Sequence, residues 1–265
     1  MSVIGSVDSL WRYPVKSMRG EQCSEFFVGF AGVYGDRLFA LQSSAAPKGF
    51  PYLTGRNLNE LLLYHPEFKH PLKAAKPGNL EEAERLAPGL NLSPAFADSE
   101  DLAMTVETPS GQTYAIDDPA LIEVLEAQLK GKHSLTLVRS ERSMTDCRPL
   151  SLFSIQTADQ LSDEVGIKID QRRFRANVYL DLKSNLGFQE DALVGKTVQV
   201  GPRAVVAILE RDPRCAMITY DPDSAETNAD VLRQVNQAHE GMAGVYAAVL
   251  VEGMVREGDE VTLLS

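Results

Sequence analysis

Val3-Ile4-Gly5-Ser6-Val7-Asp8-Ser9-Leu10-Trp11-Arg12-Tyr13-Pro14 opens the chain. Residues 3–13 read as a β-strand. Pro14 closes it, because proline has no amide hydrogen to give a ladder. More strand-like runs follow at 25–30, ending near Gly29 and Gly32, and at 37–42, where Leu38 and Ala40 alternate with Phe39 and Leu41. Residues 102–108 and 112–116 flank Pro109-Ser110-Gly111, a hairpin signal. The series continues at 134–138, 152–155, 174–182, 196–200, 204–209, 244–251 and 260–264. Helices are fewer. One starts at Pro119 behind Asp117 or Asp118, lines Leu121, Leu125 and Leu129 on one face, and ends at Gly131. Thr157-Ala158-Asp159-Gln160 reads as a capping box opening a second helix, which stops at Gly166. Residues 230–239 give a third, with Val231, Leu232 and Val235 inward. Strand–helix alternation is not sustained. The pattern therefore predicts a mainly β fold of α+β type, a barrel with peripheral helices, rather than a doubly wound sheet.

Residues 70–100 change character. Pro71, Pro77, Gly78, Pro88, Gly89 and Pro94 surround a Glu-rich stretch at 80–85, which reads as an exposed excursion with a short helix. A boundary near the Pro119 helix divides the chain into 1–125 and 126–265.

The 265 residues carry 26 Lys and Arg against 37 Asp and Glu, a net charge of −11. Such a chain repels nucleic acid and anionic membrane surfaces. No apolar run approaches the roughly 20 residues of a membrane span. Met1-Ser2-Val3-Ile4 offers no basic start and no apolar signal core, so a cytoplasmic location is expected. Cys23, Cys147 and Cys215 are odd in number and widely spaced, which gives neither a disulfide framework nor a zinc pair. No P-loop, GxGxxG fingerprint, HExxH or GxSxG occurs.

Three stretches combine cation, amide and thiol chemistry. In Tyr13-Pro14-Val15-Lys16-Ser17-Met18-Arg19-Gly20, an ammonium, a hydroxyl and free backbone N–H groups can converge on an anion. A solvated basic loop would read the same way. In Arg172-Arg173-Phe174-Arg175-Ala176-Asn177-Val178-Tyr179-Leu180, strand alternation puts Arg173, Arg175, Asn177 and Tyr179 on one face. A guanidinium fork beside a carboxamide suits phosphate and pterin edges, though a polar outer strand face gives the same alternation. In Arg211-Asp212-Pro213-Arg214-Cys215, a cysteine stands at a strand-to-loop junction. Arg211 and Arg214 beside it favour a thiolate, the form that serves as ligand or nucleophile.

Together these motifs resemble a two-part MOSC protein. Trp11-Arg12-Tyr13-Pro14-Val15-Lys16-Ser17 and Gly35-Asp36-Arg37 look like the MOSC N-terminal β-barrel module. Arg173-Phe174-Arg175-Ala176-Asn177, Arg214-Cys215 with Thr219 and Asp221-Pro222, and Gly244-Val245-Tyr246 with Gly253-Met254-Val255 and Gly258-Asp259 look like the MOSC domain. The resemblance spans the chain apart from about residues 70–100, and is similar to the molybdenum-dependent amidoxime-reducing components and their bacterial relatives. It implies a MOSC-type β-barrel plus an N-terminal β-barrel module. It implies that Cys215 coordinates molybdenum and that Lys16, Ser17, Arg37, Asp146, Arg148, Arg175, Asn177 and Arg214 hold molybdopterin. The chain departs from the pattern at Cys147 and Arg148, where relatives carry small hydroxyl residues, and at Pro213, which replaces a small polar one.

The activity so implied is two-electron reduction of the N–O bond of a small N-hydroxylated substrate. Electrons would come from a separate ferredoxin-, flavin- or haem-type redox protein. Two alternatives share the site: a molybdenum cofactor carrier without turnover, and a sulfur carrier or transferase using a Cys215 persulfide. These 265 residues are not expected to include a pyridoxal phosphate domain. Substrate choice is expected in the loops at 43–54 and 184–192.

Overall fold

A computed structural model describes residues 1–86 and 100–264. The first half supplies β1 (Ser2–Arg12), β2 (Glu21–Cys23), β3 (Glu25–Gly29), β4 (Gly32–Val33), β5 (Phe39–Ser43), β6 (His65–Phe68), α1 (Pro71–Ala75), α2 (Leu80–Leu86), β7 (Met104–Glu107), β8 (Thr113–Ala115), α3 (Pro119–Gln128) and β9 (Leu135–Arg139). The second half supplies β10 (Leu150–Ser154), α4 (Ile155–Val165), β11 (Val178–Leu182), β12 (Thr197–Val200), β13 (Ala204–Pro213), α5 (Ala229–Ala238), β14 (Met242–Val251), β15 (Gly253–Arg256) and β16 (Glu260–Leu263).

Among the described residues, seven strands close into a barrel in the order β11-β10-β14-β13-β12-β16-β1, with β1 returning to β11. The β10–β11 pair is parallel and the other barrel pairs are antiparallel. The opening strand β1 thus lies in a barrel whose other members begin at Leu150. Its first half pairs with β16 and its length with β11. Gly5 permits this closure: a Cβ there would stand 2.3 Å from the Asp181 carbonyl oxygen on β11. Val7, Leu10, Leu152, Leu180, Val206, Val245, Ala247 and Val261 fill the barrel and are buried. Each of these Val and Leu side chains contributes roughly 1.5–3 kcal/mol on leaving water.

A second core lies around the β5–β9 pair, the β6-β7-β8 sheet and α3. Val15, Met18, Leu41, Leu61, Tyr64, Met104, Leu121 and Leu125 pack there. The chain passes from one core to the other at Tyr13–Ser17, where the Arg37 amide donates to the Tyr13 carbonyl and the Lys16 amide to Phe39. Two spans of chain that the site needs, 13–18 and 36–37, are therefore clamped together at the barrel mouth. No helix among the described residues is long and apolar enough to cross a membrane.

The fold is mainly β, with helices on the periphery, as the strand pattern predicts. The 102–116 hairpin forms as β7–β8, and Asp118 caps α3 by accepting from the Ala120 amide. Three local expectations need correction. The 174–182 run is a strand only from Val178. Residues 171–174 form a 3-10 turn capped by Asp170, and Arg175 is left-handed at φ 53°. The Asp170 carboxylate accepts the Arg172 amide, a local bond that wins over the apolar alternation. Likewise Arg37 has φ 43°, so β5 starts at Phe39. The cap of α4 is Ser154, whose hydroxyl accepts the Thr157 amide, so the Thr157 box sits one turn inside the helix. Within the 70–100 excursion α1 and α2 are short helices. Pro88, Gly89 and Pro94 lie outside the described residues.

Candidate functional site

Cys215 sits where β13 ends. It precedes a 3-10 turn at Ala216–Thr219 and is half-buried, with a free thiol. The turn is fixed by Arg214, which the fold holds on three sides. Its Nε donates to the Ala243 carbonyl at 2.6 Å, one Nη to Phe174 at 2.8 Å, and the other lies 2.8 Å from Asp212. Gly244 makes room for this guanidinium. It has φ +79°, and a Cβ there would stand 2.9 Å from both an Arg214 nitrogen and the Leu152 carbonyl.

Across the cleft, Lys16 and Ser17 come from the loop after β1. Both are buried, and Ser17 is left-handed at φ 66°. The Lys16 ammonium pairs with the Asp146 carboxylate and donates to the Met144 carbonyl. The rings of Phe50 and Tyr52 cover it at 5.2 and 5.3 Å. Burial pulls the Lys16 pKa below its ordinary value despite Asp146. For Asp146, burial works upward, but Lys16, then Arg37 and Arg56, outweigh it and hold the carboxyl low.

Arg37 and Arg175 lie over the Tyr13 ring, at 4.4 and 4.2 Å from its centre. Arg37 is bound by Asp36, whose carboxylate also accepts from the Tyr13 amide and the Ser143 hydroxyl. Arg175 donates to the Met18 carbonyl. Among the described residues no carboxylate pairs with it, and burial, reinforced by Arg37, lowers its pKa to about 10. Arg173 is buried, donating to the Thr219 carbonyl and to Asp221, with its Nε left unpartnered. Ser17, Arg37 and Arg175 all hold left-handed backbone, a costly conformation that clusters where side chains must be aimed.

All nine candidate residues from the sequence line this one cleft: Cys215, Lys16, Ser17, Arg37, Asp146, Arg148, Arg175, Asn177 and Arg214. They are not equally free. The Asn177 carboxamide bridges two strands, accepting from the Ser151 amide at 3.4 Å and donating to the Trp11 carbonyl at 3.2 Å. Arg148 is at the exposed edge, paired with Glu210 at 2.6 Å. Arg211 does not join: it pairs with Asp191 at 2.9 Å and Glu240 at 2.6 Å and is absent from the lining. Of the two arginines expected beside Cys215, then, only Arg214 faces the cleft. The expected 43–54 loop contributes the rings over Lys16. In the 184–192 loop, Glu190 bonds Ser154 and Thr157 away from the lining.

The sequence reading did not single out Ser151, Asp212 and Tyr246 as site residues, and Arg173 only as part of a motif. All four line the cleft. Asp212 is 2% exposed. Burial raises its pKa to about 6, against the pull of Arg214, Tyr246 and Ser151. Asp212 was visible as a neighbour of Pro213-Arg214-Cys215. Ser151 had no local signal.

The cleft thus sets Lys16, Arg37, Arg148, Arg173, Arg175 and Arg214 against Asp146 and Asp212, in a chain of net charge −11. Such an excess of partly desolvated cations attracts a multiply charged anion. A metal bound at Cys215 would have one protein thiolate; among the described residues no group of three or more His, Cys, Asp or Glu is placed to hold an ion.

Compared with known families, residues 139–262 match the MOSC domain and residues 4–54 the MOSC N-terminal beta barrel domain. No curated protein matches the chain. Among solved structures, the YuaD protein from Bacillus subtilis aligns with TM-score 0.47 and 14% identity over 97% of this chain and 93% of that one. YiiM from Geobacillus stearothermophilus aligns with TM-score 0.34 and 19% identity over 44% of this chain and 55% of its own. YiiM from Escherichia coli gives TM-score 0.33 and 17% identity, over 44% and 55%.

Proposed function

This chain is a MOSC-domain protein with a MOSC N-terminal beta barrel domain, a family associated with molybdenum cofactor binding, and from that premise we propose that it reduces N–O bonds of small N-hydroxylated molecules. The observation that carries the reading is a half-buried, free Cys215 in the lining of a cleft whose six cations outnumber its two carboxylates.

The residues present fit a phosphorylated dithiolene cofactor. Arg173 has a buried Nε without a hydrogen-bond partner, and among the described residues Arg175, a half-buried cation, is in no ion pair. Both deficits are met by an anion with several oxygens. Arg173, Arg175, Arg37 and Lys16 would hold the phosphate and pterin edges, with Ser17 giving a hydroxyl. Cys215 would supply the protein thiolate, and sulfur from the cofactor would complete a soft ligand set. When bound, the cofactor supplies the two-electron chemistry that cleaves an N–O bond. Arg214 anchors the segment next to Cys215 through the Ala243 and Phe174 carbonyls, and Cys215 lines the cleft. Electrons come from a separate redox protein. The balance is R–NH–OH plus two electrons and two protons, giving R–NH2 and water.

The test is molybdenum content by elemental mass spectrometry on protein made in a cofactor-competent host, beside a Cys215→Ala control. It is followed by reduction of an amidoxime with an artificial electron donor. Near-stoichiometric molybdenum that the control loses, together with turnover, supports the proposal. No molybdenum and no released pterin overturns it. Molybdenum without turnover reduces the protein to a cofactor carrier, and a mass gain of one sulfur on Cys215 points to a persulfide.

A further inference from the structure

N–O reduction consumes two protons as well as two electrons, and the cleft needs an acid that holds a proton near neutral pH. Three adjacent barrel strands bring candidate groups together in the cleft that Cys215 lines. Ser151 on β10 stands opposite Tyr246 on β14, and Glu210 on β13 pairs with Tyr246 from the other side. Asp212, two residues further along β13, receives the Ser151 hydroxyl at 3.3 Å and a hydrogen bond from the Tyr246 phenol. Ser151, Asp212 and Tyr246 line the same cleft as Cys215.

We propose that Asp212, backed by Tyr246 and Ser151, is the proton donor to the oxygen that leaves the substrate. The inference rests on the reductase reading. In the step, two electrons from the redox partner enter the N–O bond and break it. The Asp212 O–H bond breaks and a new O–H bond forms on the departing oxygen, which leaves as water once it carries two hydrogens. The second proton reaches the nitrogen from solvent. Asp212 is then reprotonated from water at the cleft.

The surroundings suit this task and no other lining carboxyl does. Asp146 is held ionised by Lys16. Asp212 is faced by Arg214 on its own segment, by Tyr246 and Ser151 from β14 and β10, and by the charge of Asp146 across the cleft. Burial outweighs the arginine, so the carboxyl takes up its proton close to neutrality. Cys147 and Glu210 lie beyond it at the exposed edge.

Asp212→Asn and Tyr246→Phe, each checked for fold by circular dichroism, test the proposal. In molybdenum-loaded protein with saturating artificial donor, Asp212→Asn keeps its molybdenum and its KM. Its kcat falls about 100-fold. In the wild type kcat falls as pH rises through the Asp212 titration, and that limb disappears in Asp212→Asn. Tyr246→Phe removes a hydrogen bond that favours the carboxylate, so its limb moves to higher pH. Without cofactor, infrared difference spectra between about pH 5 and about pH 8 show a protonated carboxyl that titrates in the wild type and is missing in Asp212→Asn. Equal kcat and equal pH profiles in wild type and Asp212→Asn overturn the proton donor while leaving the reductase intact. Absence of the titrating carboxyl overturns it as well. Wild-type protein that holds molybdenum yet reduces nothing overturns the reductase reading, and the proton donor with it.

Discussion

A buried acid whose proton is held tightly costs the fold stability once it ionises, and Asp212→Asn measures that cost. Asp212 is 2% exposed, and burial lifts its pKa from 3.8 to about 6. The gap corresponds to about 3 kcal/mol at 1.36 kcal/mol for each tenfold change in proton affinity. The folded state binds the proton more tightly than the unfolded one. Stability is therefore undiminished below pH 3.8, falls as pH rises toward 6, and stays lowered above it. Asparagine mimics the neutral acid and can keep the bonds to Ser151 and Tyr246. In cofactor-free protein at about pH 8 the variant should gain about 3 kcal/mol, a rise in Tm of about 6–12 °C for a chain of this size. At about pH 4 the two proteins should melt together. Urea or thermal denaturation at both pH values reads the difference. A variant no more stable than wild type at the higher pH, or equally stabilised at both, would refute the reasoning, because the ionised carboxylate would then be well accommodated by Arg214.

Arg175→Gln should lower molybdenum cofactor affinity by about 10–100-fold, the range of one charged hydrogen bond, and should cost the cofactor-free protein only about 1–2 kcal/mol, because it gives up the bond to the Met18 carbonyl and the Tyr13 stacking but, among the described residues, no ion pair; titration of molybdopterin release and a melting curve check both. Gly244→Ala forces a left-handed alanine against the Leu152 carbonyl and Arg214, and should cost about 1–3 kcal/mol and reduce molybdenum content through the displaced arginine. Glu190→Ala removes the buried acceptor of the Ser154 and Thr157 hydroxyls, and should destabilise the protein by about 3 kcal/mol in urea while leaving molybdenum content per folded molecule unchanged.

The strand series was legible because period-two patterning is local, and so were the Asp118 and Gly166 caps, which rest on neighbouring backbone. The 172–180 reading shows the limit of that logic. Alternation suggested one pleated face for Arg175 and Asn177, yet the Asp170 cap turned 171–174 into a 3-10 turn and placed Arg175 in left-handed backbone. Arg175 still reaches the cleft, by stacking on Tyr13, a contact spanning more than 160 residues that no local pattern encodes.

By itself the sequence determined the mainly β character, the acidic balance and the motif residues Lys16, Ser17, Arg37, Arg175 and Cys215, since composition, periodicity and motif are properties of the chain. Tertiary structure alone decided that β1 closes a barrel of strands beginning at Leu150, that Arg211 turns away to Asp191 and Glu240, and that Ser151, Asp212 and Tyr246 meet in the cleft that Cys215 lines. The reason is physical: strand pairing across long loops, burial and the resulting shift in proton affinity depend on what surrounds a residue in space, and none of these is written in its neighbours along the chain.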